Sequence, residues 1–374
     1  MRRPHSGFSL IELMVAVTLG LMLTLALISV FVGTRQSYQS TTGVASLADE
    51  GRFTLDTIAQ IARVAGFMGC TAATEISVNG TFSYTVDNAV LNSSSAPLPY
   101  NFQLGVGGYE STGTGPGGSV TVSATPTAGA AAGDWTPTLG GSFTGATSQQ
   151  VQGSDVLVLR SSLPQSTPVY TTATAAAGTS SLTVSSAGNL QANELAVISD
   201  CTKAVPFQIS GVSAGTPATI NFGGSTGPPG NASSTLPVGF SAGALVYPLT
   251  TTVFYIGVGA DGDSALRRLD LLNGQVGTNI FTDSEVVEDV ENMQILYGLS
   301  TSSGISYVTA DQVTDFTEVV SIEVAVLVAS PTGSVPAPAT AQTFNLLGTT
   351  VTAPKDTRLR RVFVKTIGIR NDIH

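Results

Sequence analysis

The chain opens with a run whose hydrophobic pattern suits a membrane crossing. Residues 8–33 are apolar in character with Glu12 as their one charge, and a short polar stretch, 1–7, carries Arg2 and Arg3 ahead of them. At about 1.5 Å per residue such a helix spans roughly 39 Å, enough for a hydrocarbon core of about 30 Å. Basic residues before the span and none within it predict a cytoplasmic N-terminus and an exported remainder. A cleaved secretory signal fits poorly, because the run is too long and no small-x-small site follows it. The helical pattern then continues through residues 34–68, with Leu47, Leu55, Ile58, Ile61, Ala62 and Ala65 recurring at helical spacing. Leu55, Ile58, Ala62 and Ala65 form one stripe suited to packing on a head domain. Gly43 and Gly51 predict bends, and Gly66 and Gly69 predict the stop. A continuous helix from Phe8 to about Val64 reaches roughly 85 Å.

Beyond Cys70 the period changes to that of strands. Asp155 to Leu159, Ser181 to Val184 and Val253 to Ile256 are short runs rich in β-branched or aromatic residues. In Glu318 to Val328, alternation puts Val320, Ile322, Val324, Val326 and Val328 on one face, with Val319, Ser321, Glu323 and Ala325 on the other. Val362 to Ile369 reads as another strand, and the Gly-Ala-Asp-Gly-Asp-Ser stretch before Leu266 as a hairpin turn. The expected class is α+β: a long N-terminal helix packed on a mainly antiparallel β head over residues 69–374. Residues 105–150 are dominated by Gly, Ser, Thr and Ala and read as a surface insertion with some strand content.

Composition narrows the chemistry. The 374 residues carry 15 basic and 25 acidic side chains, a net charge of −10. That balance argues against a sequence-independent nucleic-acid binder, and no direct nucleic-acid site is evident. The two histidines are His5 and His374, which excludes an interior catalytic histidine. Two cysteines cannot build a cysteine-rich zinc site or an iron–sulfur cluster, so neither metal nor cofactor is expected. Gly211 to Gly215 satisfies G-x-S-x-G but lacks a histidine base and reads as a Gly-rich turn. Asp261 and Asp263 would need further acids to hold calcium, and a hairpin turn is the simpler reading. Lys203, Lys355 and Lys365 do not complete a Walker phosphate loop. Cys70 and Cys201, both outside the cytoplasm in this topology, read as a disulfide closing a loop of more than 100 residues, with two separate buried thiols as the alternative. Nine acids lie between Asp283 and Glu323, while Lys355, Arg358, Arg360, Arg361, Lys365 and Arg370 cluster near the end. The plain reading is a solvated surface; the sharper one makes Arg360 and Arg361 contacts to neighbouring subunits.

Glu12 is the residue a plain anchor leaves unexplained. A carboxylate in a membrane helix costs up to about 2.5–3.5 kcal/mol at the bilayer centre, and less towards the edge. A partner appears if the chain is cut after Gly7, since Phe8 then carries a free ammonium. The segment Gly7-Phe8-Ser9-Leu10-Ile11-Glu12-Leu13-Met14 resembles the processing signature of type IV prepilins and type II secretion pseudopilins. In that family a membrane aspartyl peptidase cuts between the Gly and the Phe and methylates the new amine.

The resemblance extends further. Glu50-Gly51-Arg52-Phe53, Ala65-Gly66-Phe67-Met68-Gly69-Cys70 and Ser199-Asp200-Cys201 are similar to segments of PilW-type minor pilins. So are Val286 to Leu299 and Arg360 to Asn371. The resemblance implies a structural subunit without enzymatic activity, held in the inner membrane with a periplasmic head and then moved to an extracellular pilus, at its tip. It implies prepilin peptidase, other minor pilins, the major pilin and a tip adhesin as partners, cleavage between Gly7 and Phe8, methylation of Phe8, and pairing of Glu12 with a neighbouring subunit. Priming of pilus assembly, and with it adhesion, twitching motility or DNA uptake, is the implied role. A J-like pseudopilin of type II secretion is the nearest alternative, and a membrane-tethered enzyme or binding domain is the alternative of a different class.

Overall fold

The computed structural model describes residues 9–69, 71–72, 75–78, 81–84, 86–91, 100–129, 131–139, 149–163, 167–224, 227, 229–271, 281–336, 338 and 340–369. One helix, Leu10–Ala62, runs unbroken for 53 residues, about 80 Å. Its first half touches nothing: every position from Leu10 to Gln39 is exposed. The hydroxyls of Thr18, Thr24, Ser29 and Thr34 donate to carbonyls three or four residues back at 2.8–2.9 Å, so the polar side chains of the apolar half are satisfied within the helix. Burial begins at Gly43 and continues with Leu47, Gly51, Leu55, Ile58, Ala59 and Ala62, one stripe along the helix. The chain leaves the helix through Gly66 and Gly69, at φ +79° and +86°, where L side chains are disfavoured.

The head consists of mainly antiparallel sheets, with one parallel pairing between Thr349–Thr352 and Ser119–Thr121. A large nine-stranded sheet contains, in spatial order, Ala204–Gln208, Leu195–Ser199, Leu245–Val258, Val156–Ser162, Val106–Ser111 and Trp135–Thr136. Leu245–Val258 also pairs with Ser264–Leu271, which pairs in turn with Phe281–Glu288. A second, four-stranded sheet has the order Gly304–Val308, Val290–Thr301, Val319–Ala329, Arg360–Gly368. The helix packs on this second sheet and on Phe281–Glu288. Leu55, Ile58 and Ala62 share one core with Ile322, Val324, Val326 and Ile367 of the four-stranded sheet and with Leu157, Leu159 and Phe254 of the large one. The opposite face of the large sheet buries Tyr109, Trp135, Val158, Val253 and Tyr255 in a second core. A third core gathers Leu182, Val184, Ala218 and Ile220 against Ala196, Ile198, Val205 and Phe207.

Three sequence expectations change. Gly43 and Gly51 do not interrupt the helix. The helix passes through both, and a side chain at 51 would collide with the Phe363 ring and one at 43 with Ser334, so these glycines let the head approach the helix backbone. The 105–150 stretch is not a surface insertion throughout, because all six residues of Val106–Ser111 are buried in the large sheet. Gly108 is required there, since any Cβ would overlap the Tyr297 hydroxyl. In Val319–Ala329 a bulge interrupts the alternation: Gly298 faces Ser321, while Leu299 faces Val319. Val320 is the extra residue, so Val319 enters the core in its place.

Candidate assembly site

The start of the helix carries the motif residues that the sequence singles out. Glu12 sits in its first turn, and its Oε2 accepts the backbone N–H of Ser9 at 3.0 Å. This is the carboxylate half of a capping box, in which the acid satisfies an orphan donor at the helix N-terminus. In the single chain Glu12 is therefore already hydrogen-bonded, in a position exposed to any neighbouring helix. Gly7 and Phe8 lie outside the described residues.

Cys201 lies in the turn between Leu195–Ser199 and Ala204–Gln208, at φ +67°. The Asp200 carboxylate accepts the N–H groups of Thr202 and Lys203 and binds the Lys203 ammonium at 2.6 Å. Burial works against ionisation of Asp200, but these donors prevail and hold its pKa below the usual carboxylate value. Cys70 lies outside the described residues, but Gly69, its neighbour, is packed against Ser199 and Tyr247. The Gly69 N–H donates to Ser162 Oγ at 3.1 Å.

The basic cluster near the end of the chain divides. Arg360 is not a free surface charge: its side chain is 2% exposed, its Nε and Nη2 donate to both oxygens of Glu291 at 2.7 and 2.9 Å, and it also binds Asp356. A bulge in the pairing of Val290–Thr301 leaves Glu291 as the unmatched residue and so turns its carboxylate towards Arg360. Burial alone disfavours the charged guanidinium, yet its bonds to Asp356 and Glu291 outweigh this and raise its pKa above the ordinary value. Arg361 is exposed, with its guanidinium over the Phe363 ring at 5.2 Å. Lys365 pairs with Asp56 of the helix. Arg358, buried, donates to Ser330 O at 2.7 Å, to Asp263 at 2.9 Å and to Asp289. Two ion pairs thus join the acidic and basic stretches of the sequence within the head, Arg358 with Asp289 and Arg360 with Glu291.

The remaining motifs take structural places. Asp261 and Asp263 lie in a hairpin turn closed by Gly259 N–H to Asp263 O at 2.7 Å. They approach Asp289, but the Arg358 guanidinium already binds Asp263 and Asp289. Ser213, the central residue of G-x-S-x-G, ends a short strand, and its Oγ accepts the Thr219 N–H at 2.9 Å. Two contacts escape a reading of the sequence, Gly51 with Phe363 and Gly108 with Tyr297. The first joins residues more than 300 positions apart, and its only local hint is a glycine inside a helix where alanine would propagate better.

A helix that is bare and apolar in its first half and packed under an antiparallel β head in its second has the pilin-type architecture. Residues 253–371 match the family described as Type IV Pilus-assembly protein W (PilW), and residues 2–30 match the Prokaryotic N-terminal methylation motif. Together the two matches support a PilW-type type IV pilin. A type IV-like pilin from Thermus thermophilus is 15% identical, with 49% of this chain and 86% of that chain covered and a TM-score of 0.23, too loose a likeness to place individual residues. No curated protein matches the chain.

Proposed function

We propose that this pilus subunit is a minor pilin that co-assembles with other minor pilins to prime type IV pilus assembly. One observation carries the reading: a bare apolar half-helix with a single carboxylate in its first turn, most of it lying within the matched methylation motif. Before processing, residues 8–33 hold the chain in the inner membrane with the head in the periplasm. Prepilin peptidase cuts between Gly7 and Phe8 and the Phe8 amine is methylated. Glu12 then exchanges its bond to the Ser9 N–H for the Phe8 ammonium of an adjoining subunit. In a helix bundle of low dielectric that charge pair is much stronger than in water, and it sets the axial register of the two helices.

The second half of the helix braces the head, which meets the other minor pilins, the major pilin and a tip adhesin. Of the two arginines considered for these contacts, Arg361 has the exposure the role needs. A Cys70–Cys201 disulfide would tie the helix exit to the turn at Cys201. The close packing of Gly69 on Ser199, and the absence of any free cysteine among the described residues, support it. The head contributes shape and contacts, and the reading assigns it no enzymatic chemistry, cofactor or metal. The PilW match favours the pilus over a type II secretion filament.

The decisive experiment is the mass of the mature N-terminus together with piliation of a strain lacking the protein. A chain beginning at methylated Phe8, and pilus number restored by the wild-type gene, are expected. A chain retaining residues 1–7 in the filament fraction, or full piliation without the protein, overturns the proposal.

A further inference from the structure

Two carboxylates, Glu110 and Asp155, are buried together where the large sheet meets the four-stranded sheet, 5% and 1% exposed. Asp155 bridges the two sheets: Oδ1 accepts the Ser111 N–H at 3.0 Å and Oδ2 the Ile295 N–H at 2.8 Å. Its own N–H donates to Met293 O at 2.9 Å. Glu110 Oε1 accepts the Thr114 hydroxyl at 2.9 Å. Glu110 Oε2 is buried without a hydrogen-bond partner among the described residues, as is the hydroxyl of the fully buried Tyr297.

Among the described residues, the elements packed on the pair supply no compensating positive charge. From the turn Ala310–Gln312 the charged neighbour of Glu110 is Asp311, another acid. The other polar groups facing the pair are neutral or acidic: Tyr297 from Val290–Thr301, Thr114 from the 112–118 turn and the Ala310 backbone N–H, with Asp155 itself just ahead of Val156–Ser162. Arg160, on Val156–Ser162, lies in register with Val156 and Val158 on the opposite face, together with Tyr109. Two carboxylates cannot both ionise cheaply in such a site.

We propose that Glu110 and Asp155 form a proton-held latch between the two sheets, closed while the pair keeps at least one proton and loosened when both acids ionise. Burial, chiefly, pushes Glu110 up to about 7, and burial together with the charge of Glu110 raises Asp155 well above the carboxylate range. The sign follows from linkage. Both acids titrate near 4 when unfolded, so between there and the folded values the native head holds more protons, and its stability falls as pH rises. The head is tightest in mildly acidic medium and opens its inter-sheet seam on the alkaline side of neutrality. The latch is independent of the assembly reading above.

The test is thermal and denaturant unfolding of the full chain in detergent micelles from pH 5.5 to 8.5, with and without Glu110→Gln, which keeps an acceptor for Thr114. The wild-type unfolding constant should rise by up to about tenfold per pH unit relative to the variant, one excess proton's worth. Asp311→Asn, at an exposed position, should shift the midpoint of the wild-type profile to lower pH by removing a like charge. Parallel profiles for wild type and Glu110→Gln, or an unmoved midpoint in Asp311→Asn, overturn the latch. A saturable gain in stability on adding calcium or sodium at pH 8, lost in Glu110→Gln, also overturns it, because the pair would then hold a cation instead of a proton.

Discussion

The ring of Phe363 occupies the space that a side chain on Gly51 would fill, joining the last described strand of the head to the head-proximal part of the helix. Lys365, two residues along the same strand, adds an ion pair with Asp56, about one and a half turns further down the helix. The orientation of the head on its stalk therefore depends on a residue without a side chain.

Gly51→Ala should destabilise the head–helix contact by about 1–3 kcal/mol, the usual range for overpacking, although alanine is the better helix former by about 1 kcal/mol. Gly33 is the control: a methyl group there would meet nothing within 4 Å, so Gly33→Ala should cost nothing. Denaturation midpoints of the two variants decide it, and Phe363→Leu should recover part of the Gly51→Ala loss.

Arg360 and Arg361 should behave oppositely despite their adjacency. Arg360→Ala leaves Glu291 as a buried charge without its partner and is expected to cost about 3–5 kcal/mol. Arg360→Lys should not restore it, because lysine lacks the planar fork that engages both Glu291 oxygens. Arg361→Ala should stay within about 0.5 kcal/mol, so Arg361→Glu can test subunit contact without unfolding the head. Unfolding curves separate the first effect, and co-purification with other pilus subunits reads the second.

Glu12→Gln should leave membrane insertion intact and reduce co-assembly by about 10- to 100-fold, corresponding to the ~1.5–3 kcal/mol of a hydrogen bond to a charged group. Fractionation reports insertion and pilus counts report assembly. Equal piliation with the variant would remove the charge-pair step.

If Cys70 and Cys201 are paired, alkylation of the unfolded, unreduced chain adds no mass, and reduction exposes two thiols. Cys201→Ser should then lower stability by about 2–5 kcal/mol, towards the upper end for so long a loop.

What the linear sequence determined is whatever depends on near neighbours along the chain. A helix is bonded four residues apart, so the unbroken apolar and amphipathic periods of Leu10–Ala62 were enough to place it, and a single acid among apolar residues was enough to single out Glu12. The strands around residues 156, 182, 254, 322 and 364 were legible for the same reason, from local composition and alternation. What only the tertiary structure decided lies in non-local pairing. Register slips of one residue placed Val319 in the core and turned Glu291 onto Arg360, converting an apparent surface charge into a buried pair. The roles of Gly51 and Gly108 came from side chains far along the chain, and Glu110 met Asp155 only because their strands are neighbours in the large sheet. Burial and the partner decide what a charge or a glycine does, and neither is encoded within a few residues of it.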